Sequence, residues 1–350
     1  MKKILTIICM TIMAISLHAQ ETTLQNVEQE DSTIAVIAYF CKDDTMEYLR
    51  RQGKYKVVGN DTTDMGNITE KFRIAVTDST SEGYKMEITP ISMEVEGGEN
   101  NYVIKMAQLL WNDLKNLRCR FSTDELGRVQ HIENWREIRD VLKKSYVLVF
   151  DSLYTSIPGL DSIMPRKQME GLIRLGSSTE DGIKEQYDEL EMLFGMHGNE
   201  VNMESVESDD ISEAGYPTHT LVESFYSAQT DEFDREGDYV IQARTDTKIS
   251  FDDMTDLMSS TFGVLFTGEA SDSINKYVNM ALEEKKEGMT VSNHEQYCYS
   301  YNGWPKLMQK VTEIDIAGLA KRIEYDSIEW TFRRWGVFTF PEEEDKEKDL

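Results

Sequence analysis

One stretch of the sequence resembles half of a metal-protease signature. His294 and Glu295 are followed by Cys298, where the second histidine of that signature would stand. The chemistry requires ligands four residues apart on one helical face, so that both reach a zinc ion. The local pattern alternates as in a strand, which would place positions 294 and 298 about 13 Å apart. We therefore interpret the stretch as a strand and predict no metal site.

A second stretch imitates the start of a calcium-binding loop. Glu232, Asp234 and Glu236 supply oxygen atoms at alternate positions, and Gly237 could provide the turn. Such a loop closes with a bidentate carboxylate, and that position is occupied by Ala243. The pattern favours a solvated acidic turn between two strands.

The remaining chemistry-bearing residues form no known catalytic pattern. His131, His197, His219 and His294 are scattered without the spacing of metal ligands, and we expect His197 to be solvated in a polar loop. The chain holds no Gly-x-Ser-x-Gly elbow and no phosphate-binding loop. Carboxylates are too numerous for any pair to be informative. We predict no catalytic residues and no cofactor.

Aromatic residues carry the one pattern that points to a ligand. Tyr297, Tyr299 and Tyr301 alternate along one predicted strand, and Trp330 belongs to an aromatic group near the end of the chain. Methionine is also frequent, and it adapts to irregular apolar ligands as readily as to a core. Packing between sheet and helices explains the pattern equally simply. The functional alternative is an apolar groove that binds through these four residues.

The central predicted element is a hairpin followed by a long helix, spanning 117–154. The polar turn 124–127 ends in Gly127, and Asn134 precedes Glu137 by three residues, a variant of the capping box. Apolar residues then recur at helical spacing, so Trp135 and Ile138 should be buried against a sheet. Arg136 and Arg139 should face solvent. A second hairpin is predicted at Asn302-Gly303.

Strands and helices surround these hairpins in a similar order in both halves of the chain. We predict a buried strand over 33–41, a turn over 60–67, and a meander in which Phe72, Ile74 and Val76 alternate with polar residues. A helix over 103–117 precedes the first hairpin, and one over 274–287 precedes the second. The pattern hints at two similar halves, although the residues themselves do not match.

The termini and the acidic segments suggest a division of the chain. Lys2 and Lys3 followed by an apolar run predict a signal peptide over 1–19, cleaved after Ala19. The predicted divisions after it are a flexible leader over 20–32, an N-terminal half over 33–197 with a helical insert over 165–195, a C-terminal half over 198–340, and a disordered acidic tail over 341–350.

Composition limits the partners. The formal net charge is −27, which repels phosphate backbones and argues against nucleic acid as a partner. We predict no transmembrane segment, an exported protein of the periplasm or exterior, and no particular oligomeric state. Cys41, Cys119 and Cys298 remain after cleavage, so one disulfide at most can form. Cys119 and Cys298, each on a strand entering a hairpin turn, are the candidates for that bridge.

The Lys-Lys…His-Ala-Gln leader and the acidic, β-rich body resemble uncharacterised exported proteins of the Bacteroidetes. The order of strands and helices is also similar to that of the lipoprotein-carrier half-barrel, which implies a curved antiparallel sheet and lipid carriage. We predict an α+β fold, with a large antiparallel sheet and helices packed on one face.

The predicted function follows from the fold and the aromatic pattern. We expect a non-enzymatic binding or carrier module for a lipid, peptide or other apolar or extended ligand in the cell envelope. The alternatives are a hydrolase whose site is assembled from distant loops, and a structural partner in a surface complex.

Overall fold

The computed structural model describes residues 33–59, 61–96, 102–212, 214–227, 237–265, 288–316 and 320–336. The predictions for the signal peptide, the leader, the helix over 274–287 and the acidic tail lie outside these residues. So does most of the acidic turn that begins at Glu232.

The described chain is mostly β-structure. Its strands are β1 (Thr33–Ala35), β2 (Thr45–Val58), β3 (Asp61–Thr80), β4 (Gly83–Glu96), β5 (Cys119–Thr123), β6 (Val129–Ile132), β7 (Glu200–Asn202), β8 (Val206–Ile211), β9 (Pro217–Tyr226), β10 (Tyr239–Ile249), β11 (Met289–Tyr299), β12 (Pro305–Ile316) and β13 (Ala320–Arg334). Its helices are α1 (Tyr102–Leu114), α2 (Trp135–Ser156), α3 (Leu160–Ile163), α4 (Arg166–Gly176), α5 (Glu180–Lys184), α6 (Asp188–Phe194) and α7 (Phe251–Leu265).

Eleven of the described strands form one antiparallel sheet that does not close on itself. Their order is β6-β5-β4-β3-β2-β13-β12-β11-β10-β9-β8, and β1 pairs separately with β7. The long pairing of β2 with β13 joins the two predicted halves into one continuous sheet. The large antiparallel sheet predicted from the sequence is therefore confirmed.

Alternation of apolar and polar residues explains the strands at the centre. Phe72, Ile74 and Val76 are buried on β3, and their neighbours on β4, Met86 and Ile88, are buried beside them. The predicted turn over 60–67 is wrong, because β3 already begins at Asp61. Pairing with β2 across a bulge at Lys54 overrides the turn-forming composition of that stretch.

Both predicted hairpins are confirmed, and a positive φ makes glycine suitable in each turn. The φ angles are 99° at Gly127 and 80° at Gly303. Asn134 is the residue before α2 as predicted, but its side chain does not cap the helix. Instead the Asn134 amide accepts a hydrogen bond from the backbone of Arg120 and donates one to the carbonyl of Arg118, which fixes the helix start to β5.

The predicted buried strand over 33–41 is wrong after Ala35. Residues 36–40 instead form an extended segment with alternate side chains buried. Its backbone donates from Ala38 to the carbonyl of Leu126 and from Tyr39 to the carbonyl of Asn302. The segment thus joins the turns of two hairpins, so its hydrogen-bonding groups are satisfied by turns rather than by a strand partner.

Two groups of buried side chains lie on the same face of the sheet. The larger group includes Met46, Tyr48, Ile74, Met308 and Tyr299, and it packs with Leu190, Leu193 and Phe194 of α6. The smaller group is formed by Ile249, Met289, Val291 and Ile314 with Met254 of α7.

The predicted register of α2 is confirmed at Ile138 and wrong at Trp135. Ile138 is fully buried, whereas Trp135 is half-buried. The guanidinium carbons of Arg136 and Arg139 lie 4.4 and 5.3 Å from the centre of the indole ring. Trp135 therefore packs only partly against the larger buried group, and the two arginines cover another part of its ring.

The predicted disulfide between Cys119 and Cys298 is wrong. All three cysteines of the described chain are free thiols. Cys119 lies on β5 and Cys298 on β11, six places apart in the strand order. Burial raises the pKa of Cys119 and so disfavours its reactive thiolate form.

Candidate functional site

Between the two buried groups, the inner face of the sheet carries an accessible band. We call the inner face the one that bears Met46, Tyr48 and Ile74. Cross-strand pairing places two rows of side chains on this face, and none of them is buried. We call these two rows the trough: Gln52, Asp326, Lys310, Glu295 and Ala243 in one row, and Lys54, Glu324, Thr312, Asn293 and Thr245 in the other.

Buried rows border the trough on both sides. On the side of α6, the adjoining row contains Arg50, Ile328, Met308 and Ile241, each no more than 4% exposed. On the side of α7, it contains Arg322, Ile314, Val291 and Thr247, each no more than 8% exposed. The inner face is therefore filled at both ends and accessible in the middle.

The polar side chains of the trough hold one another in position. Lys310 binds the Glu295 carboxylate at 2.8 Å, and the Tyr297 hydroxyl donates to the same carboxylate at 2.7 Å. Thr312 donates to the side-chain oxygen of Asn293 at 2.7 Å. These contacts hold the floor of the trough in place, which favours recognition of a ligand with little reorganisation.

A buried arginine lies at the border between the trough and α6. The Arg50 guanidinium donates to both oxygens of Asp188, at 2.8 and 2.7 Å, and from Nε to Asp326 at 3.0 Å. Glu189 lies 3.4 Å from the same guanidinium, and Gln52 donates to Asp326 at 2.9 Å. Arg50 thus ties α6 to β13 by paired, charge-assisted hydrogen bonds.

The carboxylates near Arg50 outnumber its single positive charge. Burial raises the pKa of Glu189 to about 8, against the lowering effect of Arg50. Burial also raises the pKa of Glu70 on the neighbouring strand, and the charges of Asp188 and Asp326 raise it further. Glu189 therefore holds a proton near neutral pH.

A histidine is buried at the end of the sheet where α6 stops. His197 was expected to be solvated, and that expectation is wrong, because the side chain is fully buried. Its Nε2 lies 3.0 Å from the carbonyl oxygen of Gly303, and its ring packs edge-on against Phe40 and Tyr299. Burial lowers its pKa to about 4, so the imidazole is neutral at physiological pH.

The four predicted ligand-binding residues do not form one continuous stripe. Tyr297 is half-buried beside the trough, whereas Tyr299 is fully buried in the larger core group. Trp330 is half-buried against the same group, with Lys306 5.7 Å from its ring centre. Tyr301 lies past the end of β11, in the hairpin turn, and is 47% exposed. Tyr297 donates a hydrogen bond to Glu295 of the trough.

Sequence reasoning missed Arg50, Glu189 and the buried state of His197. A signal existed for Arg50, because it continues the alternation of the apolar residues Met46 and Tyr48 on one face of a strand. No comparable signal marks Glu189, since its burial depends on the docking of α6 against β13. Within the described ranges, no group of His, Cys, Asp or Glu side chains is arranged to hold a metal ion.

Comparisons with known proteins give a weak structural similarity. No protein-family model and no curated protein matches this chain. A structure titled lipid–protein interactions in lipovitellin matches with a TM-score of 0.36 and 8% identity, over 86% of this chain and 26% of that one. The outer membrane protein Omp33 of Acinetobacter baumannii matches with a TM-score of 0.14 and 4% identity, over 83% and 100% of the two chains. Both scores are below 0.5, so neither match establishes a shared fold.

The lipovitellin match is partial in one further respect: this chain spans about a quarter of that chain's length. Among the helices of the described residues, none combines the length and apolar character needed to cross a membrane.

Proposed function

We propose that this chain is a non-enzymatic binding module that holds an amphipathic ligand in the trough of a curved, half-barrel sheet. The observation that carries the proposal is the band of accessible residues between two buried borders on the inner face. Core formation alone gives no reason to leave the centre of a large sheet accessible when both ends are filled. A ligand that covers this band would remove the remaining inner-face area from water.

The composition of the trough indicates the class of ligand. Its floor is polar and charged, which disfavours a bare hydrocarbon chain along its whole length. The border row toward α7 is mixed, but the smaller buried group behind it is apolar and rich in methionine, with Met289 and Met254 buried and Met258 partly buried. A lipid fits this division, with its polar head group on the trough and its acyl chain directed toward the methionine-rich group. The six strands from β3 to β10 give the inner face a width of about 24 Å.

Export forms a second part of the proposal. Cleavage after Ala19 would release the mature chain outside the cytoplasm, where a carrier could exchange lipids between envelope surfaces. N-terminal mass analysis of the protein from its natural cells tests this part. A mature start at Gln20 supports export, and retention of residues 1–19 contradicts it.

The direct experiment is to identify the lipid that is bound to the protein purified from its natural cells. The mature chain is purified from its natural cells without detergent, extracted with organic solvent and examined by mass spectrometry. An Ala243→Trp variant fills the floor of the trough, and Arg244→Trp places the same ring on the outer face of the same strand. We expect lipid in the wild type and in the Arg244 variant but not in the Ala243 variant. Equal lipid content in all three proteins would contradict the proposal.

A further inference from the structure

The two outer strands of the large sheet differ in how their edges are covered. At one edge, side chains of α5 bind the backbone of β6. The Val129 carbonyl accepts from Nζ of Lys184 at 3.0 Å, and the Ile132 N–H donates to the Glu180 carboxylate at 2.9 Å. At the other edge, β8 is the last strand in the order, and all of its residues are exposed. Within the described ranges, backbone hydrogen bonds join β8 only to its neighbour β9.

The register between β8 and β9 shows which backbone groups point away from the sheet. Ser212, the residue after β8, donates from its N–H to the carbonyl of Tyr216 at 2.8 Å. In an antiparallel pair, residues that bond to their partner alternate with residues whose N–H and C=O point outward. Counting back from Ser212, the outward-pointing residues are Glu207, Asp209 and Ile211. Their backbone groups are therefore oriented to pair with an added strand.

The charges along β8 select the kind of strand that fits this edge. Glu207, Asp209 and Asp210 are acidic, and no residue of β8 is basic. His219 of β9 contacts two of the carboxylates, with Nε2 3.2 Å from Glu207 and Nδ1 2.9 Å from Asp209. These two side chains are nevertheless 70% and 91% exposed, so cationic side chains of an added strand can reach both.

A second copy of this chain is a poor occupant of the β8 edge. Two β8 strands paired with each other would place acidic side chains opposite one another, and like charges in such pairs are destabilising. The same carboxylates attract lysine and arginine side chains. Val206 and Ile211, at the two ends of the strand, are 41% and 72% exposed, which favours apolar residues at the ends of the added strand.

We propose that β8 is a docking edge for an extended, basic peptide segment of a partner protein, which adds to the sheet as a further antiparallel strand. Hydrogen bonds to the outward-pointing backbone groups of Glu207, Asp209 and Ile211 supply affinity. Pairing of basic side chains with the carboxylates of β8 supplies selectivity. The edge is separate from the trough, and the proposal does not depend on lipid binding.

Fluorescence anisotropy with a labelled, end-capped peptide of sequence Val-Lys-Lys-Thr-Lys-Val tests the proposal. Added antiparallel to β8, its lysines lie opposite Asp210, Asp209 and Glu207, and its valines lie opposite Ile211 and Val206. We expect saturable binding to the mature chain at about 50 mM salt, and weaker binding as the salt concentration rises. A peptide with glutamate in place of every lysine should bind at least about tenfold more weakly.

Two N-methylated peptides separate strand addition from general attraction between opposite charges. Methylation of the lysine opposite Asp209 removes an N–H that donates to β8, whereas methylation of the threonine removes an N–H that points away from β8. Both peptides keep every charge. We expect the first to bind about tenfold more weakly than the unmodified peptide and the second to bind equally well. Equal affinity of the two methylated peptides would overturn the proposal, because charge attraction alone would then account for binding.

Substitutions at Asp209 test the same contact from the side of the protein. Asp209→Asn removes the charge, and Asp209→Pro also removes an N–H that points away from β9, so the existing ladder is kept. Asp140→Asn, at an exposed carboxylate on α2, controls for loss of one charge elsewhere. We expect wild-type affinity for the Asp140 variant, about threefold weaker binding for Asp209→Asn, and at least about tenfold weaker binding for Asp209→Pro.

The methylated peptides give a decision on the wild type even if Asp209→Pro does not fold. Absence of saturable binding, or equal affinity of folded Asp209→Pro and the wild type, would overturn the proposal. Sedimentation that shows a wild-type dimer, separated into monomers by Asp209→Pro, would also overturn it and would make a second copy of this chain the occupant of the edge.

Discussion

The Nε2 atom of His197 lies 3.0 Å from the carbonyl oxygen of Gly303, although 106 residues separate the two. Because Nε2 must donate in this contact, Nδ1 carries no proton, and the ring is held in one neutral tautomer. Gly127, in the turn of the other hairpin, contacts the same imidazole so closely that an added Cβ would lie 2.6 Å from its Cδ2 atom. One buried side chain therefore packs against the turns of two distant hairpins.

Acid should destabilise the protein through His197. Its pKa is lowered from 6.5 to about 4 in the folded state, so the unfolded chain binds the extra proton between these values. The stability that depends on neutral His197 is thus present above pH 6.5 and is lost as the pH falls through 4. Urea unfolding of the wild type and His197→Gln from pH 7 to 4 should show their difference in free energy shrinking. His131→Gln, at an exposed histidine, is the control, and a constant difference would contradict the account.

Raising the pH should lower the stability of the folded protein, because Glu189 then loses its proton. Its pKa is raised from 4.5 to about 8, so between these values the folded state keeps a proton that the unfolded chain has released. Stability from this group is therefore complete below pH 4.5 and is lost as the pH rises through 8. Glu189→Gln cannot ionise and should gain stability relative to the wild type from pH 5 to 8.5. The exposed Glu185→Gln controls for loss of a surface charge, and parallel curves for Glu189→Gln and wild type would refute the prediction.

Two adjacent arginines on β2 should differ greatly in their contribution to the free energy of unfolding. Arg50→Met leaves the largely buried carboxylate of Asp326 without its cation, which should cost about 3–5 kcal/mol. Arg51→Met removes only a surface pair with Glu329, in which the two side chains are 46% and 41% exposed, and should cost about 1 kcal/mol or less. Chemical denaturation measures both. Similar values for the two variants would mean that the Arg50 contacts do not hold α6 to the sheet.

Glycine should be far less replaceable at Gly127 than at Gly159. Both have a positive φ, which costs an alanine about 1–2 kcal/mol. At Gly127 the new Cβ would also lie 2.7 Å from the Cβ of Ala38, whereas nothing lies within 4 Å at Gly159. We expect Gly127→Ala to lower the Tm clearly more than Gly159→Ala. Equal shifts would show that the packing of the first hairpin turn is loose.

Local patterns were sufficient to predict much of the sheet, because strand alternation and glycine-containing turns are properties of neighbouring residues. The hairpins at Gly127 and Gly303 and the start of α2 after Asn134 are of this kind. The segment over 36–40 was misassigned because its hydrogen-bond partners are turns from distant parts of the chain. Composition alone cannot distinguish an extended segment that is hydrogen-bonded to turns from a strand that is hydrogen-bonded to a neighbouring strand.

The candidate site was less predictable for the same reason. Tyr297 was identified from alternation along its own strand, but the trough consists of residues brought together by cross-strand register. Ala243, Glu295 and Lys310 become neighbours only once β10, β11 and β12 are paired. Tyr301 was grouped with Tyr297 and Tyr299 because the pattern continues past the end of β11, where the backbone turns away.

Titration of a fluorescent lysophosphatidylcholine into the delipidated mature chain tests the trough most directly. The variants are Ala243→Trp, which fills the floor, and Arg244→Trp, which places an equal ring on the outer face. We predict saturable binding by the wild type and the Arg244 variant, and a loss of at least tenfold in affinity for the Ala243 variant, with all three proteins equally folded. Equal affinity for the two variants, or no saturable binding by the wild type, would contradict a ligand site in the trough.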